Sequence, residues 1–238
     1  ETQGKGGVKG FFSRFSKRTK ITSVVVIAVL VVAGAGFFVW HEQPSFCTAI
    51  CHKPMSDEYL DTYKAQPGTA STDKWGNKVS DAHAMLSAVH RADYGVTCLE
   101  CHKPTLGQQI GEGITFITGS YEFPLHERNT AKLATVHSNI GDSFCLNEGC
   151  HNMTRADLTA ATSGLAFNPH AAVHGYDLDC STCHKAHRAS VYYCTECHSD
   201  ATIQLPAGWV TYEQNLEYTS NMTGTELPTT QITKVTAN

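Results

Sequence analysis

Ten cysteines stand in five pairs: Cys47 and Cys51, Cys98 and Cys101, Cys145 and Cys150, Cys180 and Cys183, Cys194 and Cys197. A histidine comes directly after the second cysteine every time, giving His52, His102, His151, His184 and His198. A thiol pair with an imidazole immediately after it is the pattern that attaches a haem covalently. The thiols add to the two vinyl groups and the histidine reaches the iron from one face. A zinc site needs four converging ligands, and a disulfide framework needs only thiols; neither gives a reason for a histidine after every pair. Three motifs have two residues between the thiols, the first has three and the third has four. Extra residues can loop out if both sulfurs still reach the haem edge.

A second ligand can close the far face of each iron. The candidates outside the motifs are His90, His170, His174 and His187, then His83 and His137, with His126 weaker and His41 read as an interfacial residue. His170, His174 and His187 crowd around the last two motifs in the stretch 168–198, so the cofactors there take the place of an ordinary core. Met55 lies just after the first motif and is a second candidate ligand for that iron beside His52. A thioether raises the reduction potential relative to imidazole, because it favours ferrous iron.

These groups must be carried by something. Residues 1–20 are basic, and residues 21–40 run without a charge, long enough to cross a membrane. The basic flank places the N-terminus in the cytoplasm and the residues after position 40 on the outer side. A cleaved signal peptide is the alternative, and it exports the same residues. Residues 41–198 then form a haem domain holding five covalently attached haem c groups, and 199–238 is a polar tail or an arm laid along a partner. Ser56–Lys64, 82–91 and 128–138 read as short helices, 66–78 as a loop, and 108–118 has no clear assignment. The expected fold is mostly α with long loops, one transmembrane helix and little or no β. Net charge is −4, from 18 basic and 22 acidic residues, which gives nucleic-acid binding no support.

Residues 8–155 resemble the NapC/NirT/NrfH family of membrane-anchored multihaem quinol dehydrogenases. The resemblance is carried by the single anchor, Pro44-Ser-Phe-Cys47 leading into the first motif, and the nearby Met55. It continues through His90-Arg-Ala-Asp-Tyr-Gly-Val-Thr-Cys98, through Cys101-His-Lys-Pro104, and through 113–133 up to the third motif. The family's first motif is C-x-x-C-H-x-M, and this chain departs from it by one residue twice over. The stretch 168–198 is more similar to small tetrahaem cytochromes and to the haem domains of flavocytochrome fumarate reductases. Shared features are Asn168-Pro-His170 and Cys183-His-Lys-Ala-His187.

The resemblance implies quinol oxidation at the first haem, with a carboxylate and a lysine nearby. Asp57, Glu58, Asp61, Lys53 and Lys64 lie close enough in sequence. It also implies a membrane quinol pool as donor, in anaerobic respiration, and an extracytoplasmic reductase as acceptor, whether a flavoprotein, a molybdoenzyme or a nitrite reductase. Oligomers are an open expectation. No hydrolytic or nucleophilic constellation is visible. The rival readings are a terminal reductase with one open haem and a self-associating electron wire.

Overall fold

The computed structural model describes residues 16–49, 56–121, 141–199 and 205–220. The chain divides into two units, 1–46 and 47–238. The assignments at 128–138, Cys51, His52, Lys53, Met55, His126 and His137 lie outside the described residues.

In the first unit, α1 (Lys17–His41) is capped by Ser16, whose hydroxyl accepts from the Thr19 backbone N–H at 3.2 Å. The helix begins before the uncharged run because Lys17, Arg18 and Lys20 are good helix formers. It is apolar on every side, and none of its residues is buried. At 25 residues it is about 37 Å long, enough to cross a bilayer. Its C-terminal end gathers aromatic rings: Phe46 lies 5.0 Å from Trp40 and 5.5 Å from Phe37, edge to face. Such rings suit a membrane–water boundary.

The second unit is mostly short helices. In chain order they are α2 (Pro44–Ala49, which begins before the unit boundary), α3 (Ser56–Lys64), α4 (Leu86–Tyr94), α5 (Cys98–Cys101), α6 (Leu106–Thr118), α7 (Arg155–Ala161), α8 (Cys180–Cys183) and α9 (Tyr212–Ser220). Sheet is confined, among the described residues, to two-residue ladders. β1 (Ser71–Thr72) pairs antiparallel with β2 (Lys78–Val79), and β3 (Val191–Tyr192) pairs parallel with β4 (Val210–Thr211). The loop expected at 66–78 therefore contains all but the last residue of a small hairpin.

Among the described residues the buried apolar cluster is small: Val79, Ala82, Ala84, Met85, Ala88, Ala189, Val191 and Val210. Eight residues of this size are too few to hold the described part of the unit together by apolar burial alone. The cluster is zipped instead by backbone. Leu86 N–H donates to Lys185 O at 2.9 Å, Ser87 N–H to Ala186 O at 3.0 Å, and Ser190 N–H to Ala84 O at 2.9 Å. This contact breaks the single helix expected over 82–91. Met85, fully buried, bridges in extended conformation to Lys185, so a 3-10 turn (Ala82–Ala84) precedes it and α4 starts after it.

Arg91 joins α4 to the end of α3, donating to Tyr63 O at 2.6 Å and Ala65 O at 3.0 Å. α6 occupies the stretch that had no sequence assignment. Thr105 and Gln108 form a capping box at its start and Gly119 closes it in the left-handed region. Residues 205–220 fold back on the chain's own module. β4 supplies Val210 to the core, Arg188 donates to Asn215 Oδ1 at 2.6 Å, and Tyr218 donates to Lys78 O at 3.0 Å. Gly208 lets the backbone pass: a Cβ there would lie 2.1 Å from Asp81 O.

Candidate haem sites

Three motif histidines face a second imidazole. Ring centroids are 6.4 Å apart for His102 and His187, 6.0 Å for His151 and His90, and 6.2 Å for His184 and His170. A ligating imidazole nitrogen lies about 2.0–2.1 Å from a transition ion and about 1.1 Å from its ring centre. Two rings on opposite faces of one ion are therefore about 6.2–6.4 Å apart. Two of the separations fall in that range, and the third, His90 to His151, is 0.2 Å short of it.

The non-motif member of each pair is oriented in the same way. His90 Nδ1–H donates to Leu86 O at 2.7 Å, one turn back on α4. His187 Nδ1–H meets Thr62 Oγ1 at 2.8 Å, and the Thr62 hydroxyl hydrogen goes to Tyr59 O at 2.8 Å. His170 Nδ1–H meets Thr162 Oγ1 at 3.2 Å, while that hydroxyl donates to Leu158 O and Asn168 Oδ1. In each case the acceptor can take only a proton from Nδ1, so the lone pair sits on Nε2. Holding the second ring nitrogen is how proteins fix the tautomer and aim of a metal-ligating histidine.

Local folding explains the placement. Asn168 Nδ2 donates to Thr159 O at 2.9 Å and its Oδ1 accepts from His170 N–H at 3.1 Å, tying the 168–170 loop to α7. Gly175 allows the loop to close, since a Cβ there would meet Pro169 O at 2.3 Å. Burial, aided by the neighbouring His170, His151, Lys185 and His90, pushes His184 down to about 4. Burial and then Arg155 lower His170. Both rings are therefore neutral at pH 7, the form that binds metal.

The thiols of successive motifs adjoin. Burial, then Cys150 and Cys145, raises Cys101 to about 11. Cys145 and Cys180 share a hydrogen bond that raises Cys180 and lowers Cys145. Cys183 accepts from Tyr193 N–H and lies near Cys194. Motifs two to five thus succeed one another in space as in sequence. An ion pair straps the third to the fourth: Arg155 donates to Asp142 Oδ2 from Nε at 3.0 Å and Nη2 at 2.5 Å, and reaches Gly175 O and Leu178 O. Asp142 Oδ1 accepts from Cys180 N–H at 2.8 Å and from its thiol at 3.2 Å. Among the described residues no three His, Cys, Asp or Glu converge as a zinc site would require.

The other candidates stand elsewhere. His83 is half exposed, with Nδ1 3.1 Å from Asp81 Oδ1. His174 is exposed in the 3-10 turn Val173–Asp177, and His198 is exposed beside Cys197. On α3, Asp61 and Lys64 face solvent, whereas Glu58 Oε2 is buried with no hydrogen-bond partner. Asp57 lies on the same helix. Thr62, Thr162, Asp142 and Arg155 were not singled out from sequence. The charged residues flanking the third motif, Asp142 before it and Arg155 after it, were the available signal.

The small core and the three imidazole gaps both fit bound haem. The Cytochrome c3 family model matches residues 125–199. The cytochrome c-type protein Cgr1 of Eggerthella lenta is 55% identical over 196 residues, covering 82% of this chain and 88% of that protein. No solved structure matches. The chain belongs with Cgr1 to the multihaem c-type cytochromes: it is an electron-transfer protein carrying covalently bound haem c.

Proposed function

We propose that the chain is a membrane-anchored pentahaem cytochrome that takes electrons from a membrane quinol and relays them to an extracytoplasmic reductase. The observation that carries this reading is the set of three facing imidazole pairs. Sites closed on both faces suit electron transfer and leave no position for a small substrate. His102 with His187, His151 with His90, and His184 with His170 hold three irons, while the paired cysteines fix five haems covalently. His198 and His52 supply the proximal ligands of the remaining two, with Met55 beside the first. Bound haem supplies one-electron transfer at iron.

The N-terminal helix is the anchor, with its basic flank in the cytoplasm and the haem unit on the outer face. The first motif comes directly after it in sequence, so quinol entry is assigned there, in keeping with the NapC/NirT/NrfH resemblance. Of the five carboxylates and lysines near that motif, Glu58 is assigned the role of proton acceptor, because its Oε2 is buried and unpartnered. A general base must lie where the proton is released. The succession of thiols from motif two to motif five makes motif five the exit, and His198 and Cys197 are exposed there to a partner.

The test is anaerobic addition of a reduced menaquinone analogue to membranes holding the protein. Rapid appearance of the ferrous haem absorption bands is expected. No haem reduction by quinol, in protein that dithionite reduces fully, removes the quinol reading. A high-spin ferric signal in the resting protein that responds to a small-molecule oxidant would favour a terminal reductase.

A further inference from the structure

α6 is amphipathic with its faces reversed. Leu106, Ile110, Ile114 and Ile117 follow one another at four, four and three residues, which places them in one stripe along the helix. That stripe is the outer one: the four side chains are 72%, 55%, 56% and 83% exposed. The half-buried positions are instead Gln108, Gln109 and Glu112. Gln109 turns back to the chain and donates to Pro104 O at 3.5 Å.

A helix surrounded by water turns its apolar stripe inward. One that packs amides and a carboxylate on its own protein and holds isoleucines outward meets an apolar phase on its outer side. The exposure is comparable to that of the apolar side chains of α1, and no charge interrupts the stripe. Both ends are dressed for a lipid boundary. Phe116 and Tyr121 stack with centroids 6.3 Å apart where the helix ends, and Lys103 stands exposed before its first turn. Aromatic rings and long cationic side chains flanking an apolar stretch suit the headgroup layer. The stripe is about 16 Å long (117 − 106 steps of about 1.5 Å), too long for the ring of a single haem to cover.

We propose that α6 lies flat in the boundary between headgroups and acyl chains, with Leu106, Ile110, Ile114 and Ile117 in lipid. This rests on the reading that α1 anchors the chain and so keeps the haem unit at the bilayer surface. An anchor alone leaves that unit free to turn on its tether. A second contact fixes which side meets the lipid. α6 begins four residues after His102 (106 − 102), so the contact also holds the haem at Cys98 and Cys101 close to the layer from which a quinol arrives.

The experiment uses the full chain, loaded with haem, in vesicles of phosphatidylcholine and phosphatidylglycerol. A single p-benzoylphenylalanine is placed at position 27, 108, 110, 112, 114 or 117, and mass spectrometry after illumination reads what it has bonded to. Haem per protein and the absorption spectrum should equal those of the parent. Lipid adducts are expected at 27, 110, 114 and 117, several-fold above those at 108 and 112. Lipid adducts at 27 with none at 110, 114 and 117 overturn the proposal and leave the anchor standing. None at 27 overturns the anchor reading, and this proposal with it. Adducts to haem or to protein at 110, 114 and 117 show another occupant and overturn the proposal. Should a benzophenone lower the haem count, photoleucine at the same position is close to isoleucine in size and gives the same readout, with the same outcomes deciding.

Discussion

His170 and His184 face each other with ring planes 4° apart and centroids 6.2 Å apart. They lie in one short stretch, and Thr162 sets the aim of the first. Removing His170 as alanine should convert one haem from low to high spin, with the remaining haems unchanged. Electron paramagnetic resonance reads this directly. His90→Ala and His187→Ala should each do the same to a different haem, so the double variants should be additive. An unchanged spectrum in any of the three would remove that pairing.

Thr62 is fully buried and accepts from His187 Nδ1. Thr62→Val keeps the shape and leaves that N–H without a partner, a cost of about 1–3 kcal/mol. In a chain of this size that is a fall of about 2–4 °C in Tm per kcal/mol. The weaker imidazole should also raise the potential of the haem at Cys98 and Cys101. Calorimetry and redox titration check the two effects separately.

Gly175 admits no side chain, because a Cβ would lie 2.3 Å from the Pro169 carbonyl. Backbone cannot yield as a flexible side chain can. Gly175→Ala should cost about 1–3 kcal/mol and displace His170, adding a high-spin signal from one haem. Full low-spin character in this variant would show that the loop does not set the ligand.

Burial alone would raise the Asp142 carboxyl, but the Arg155 hydrogen bond and the Cys180 N–H bring it below the usual carboxylate range. A lowered folded-state value means the stabilisation is present above the unfolded carboxylate pKa and is lost as pH falls through the folded one. Arg155→Met should therefore begin acid unfolding at higher pH than the parent. Unfolding midpoints measured from pH 3 to pH 7 should converge at the acid end. Parallel curves would remove the ion pair as the cause.

Glu58→Gln should slow haem reduction by quinol by about 10²-fold or more, the usual contribution of a positioned base. Reduction by dithionite, which needs no proton acceptor, should keep its rate. Equal quinol rates would return the choice to Asp57 or Asp61.

The sequence carried the cofactor chemistry in its motifs, and α3 was readable to its ends at Ser56 and Lys64. The break at Met85 was not, because a bridge to Lys185, a hundred positions away, makes it. α6 was obscured by Gly107, Gly111 and Gly113, which lower helix propensity, and its Thr105–Gln108 capping box was not read. His90, His170 and His187 were named as a group with His174, which stands exposed outside the three pairs. Their partners were not, since Thr62 and Leu86 O select them only after folding. The same holds for Glu58, which differs from Asp61 only in the direction the helix turns.

The pairing of His102 with His187 has a consequence for how the molecule matures. The partner of His102 is made 85 positions later (187 − 102), whereas His184 finds His170 already made. An emerging chain can complete the site at His184 locally but must hold the one at His102 half-coordinated until the segment 184–190 zips onto 84–87. A chain cut before 187 should therefore bind carbon monoxide at that haem, so a stretch that is made late is also the latch that would close the second motif to diatomic ligands.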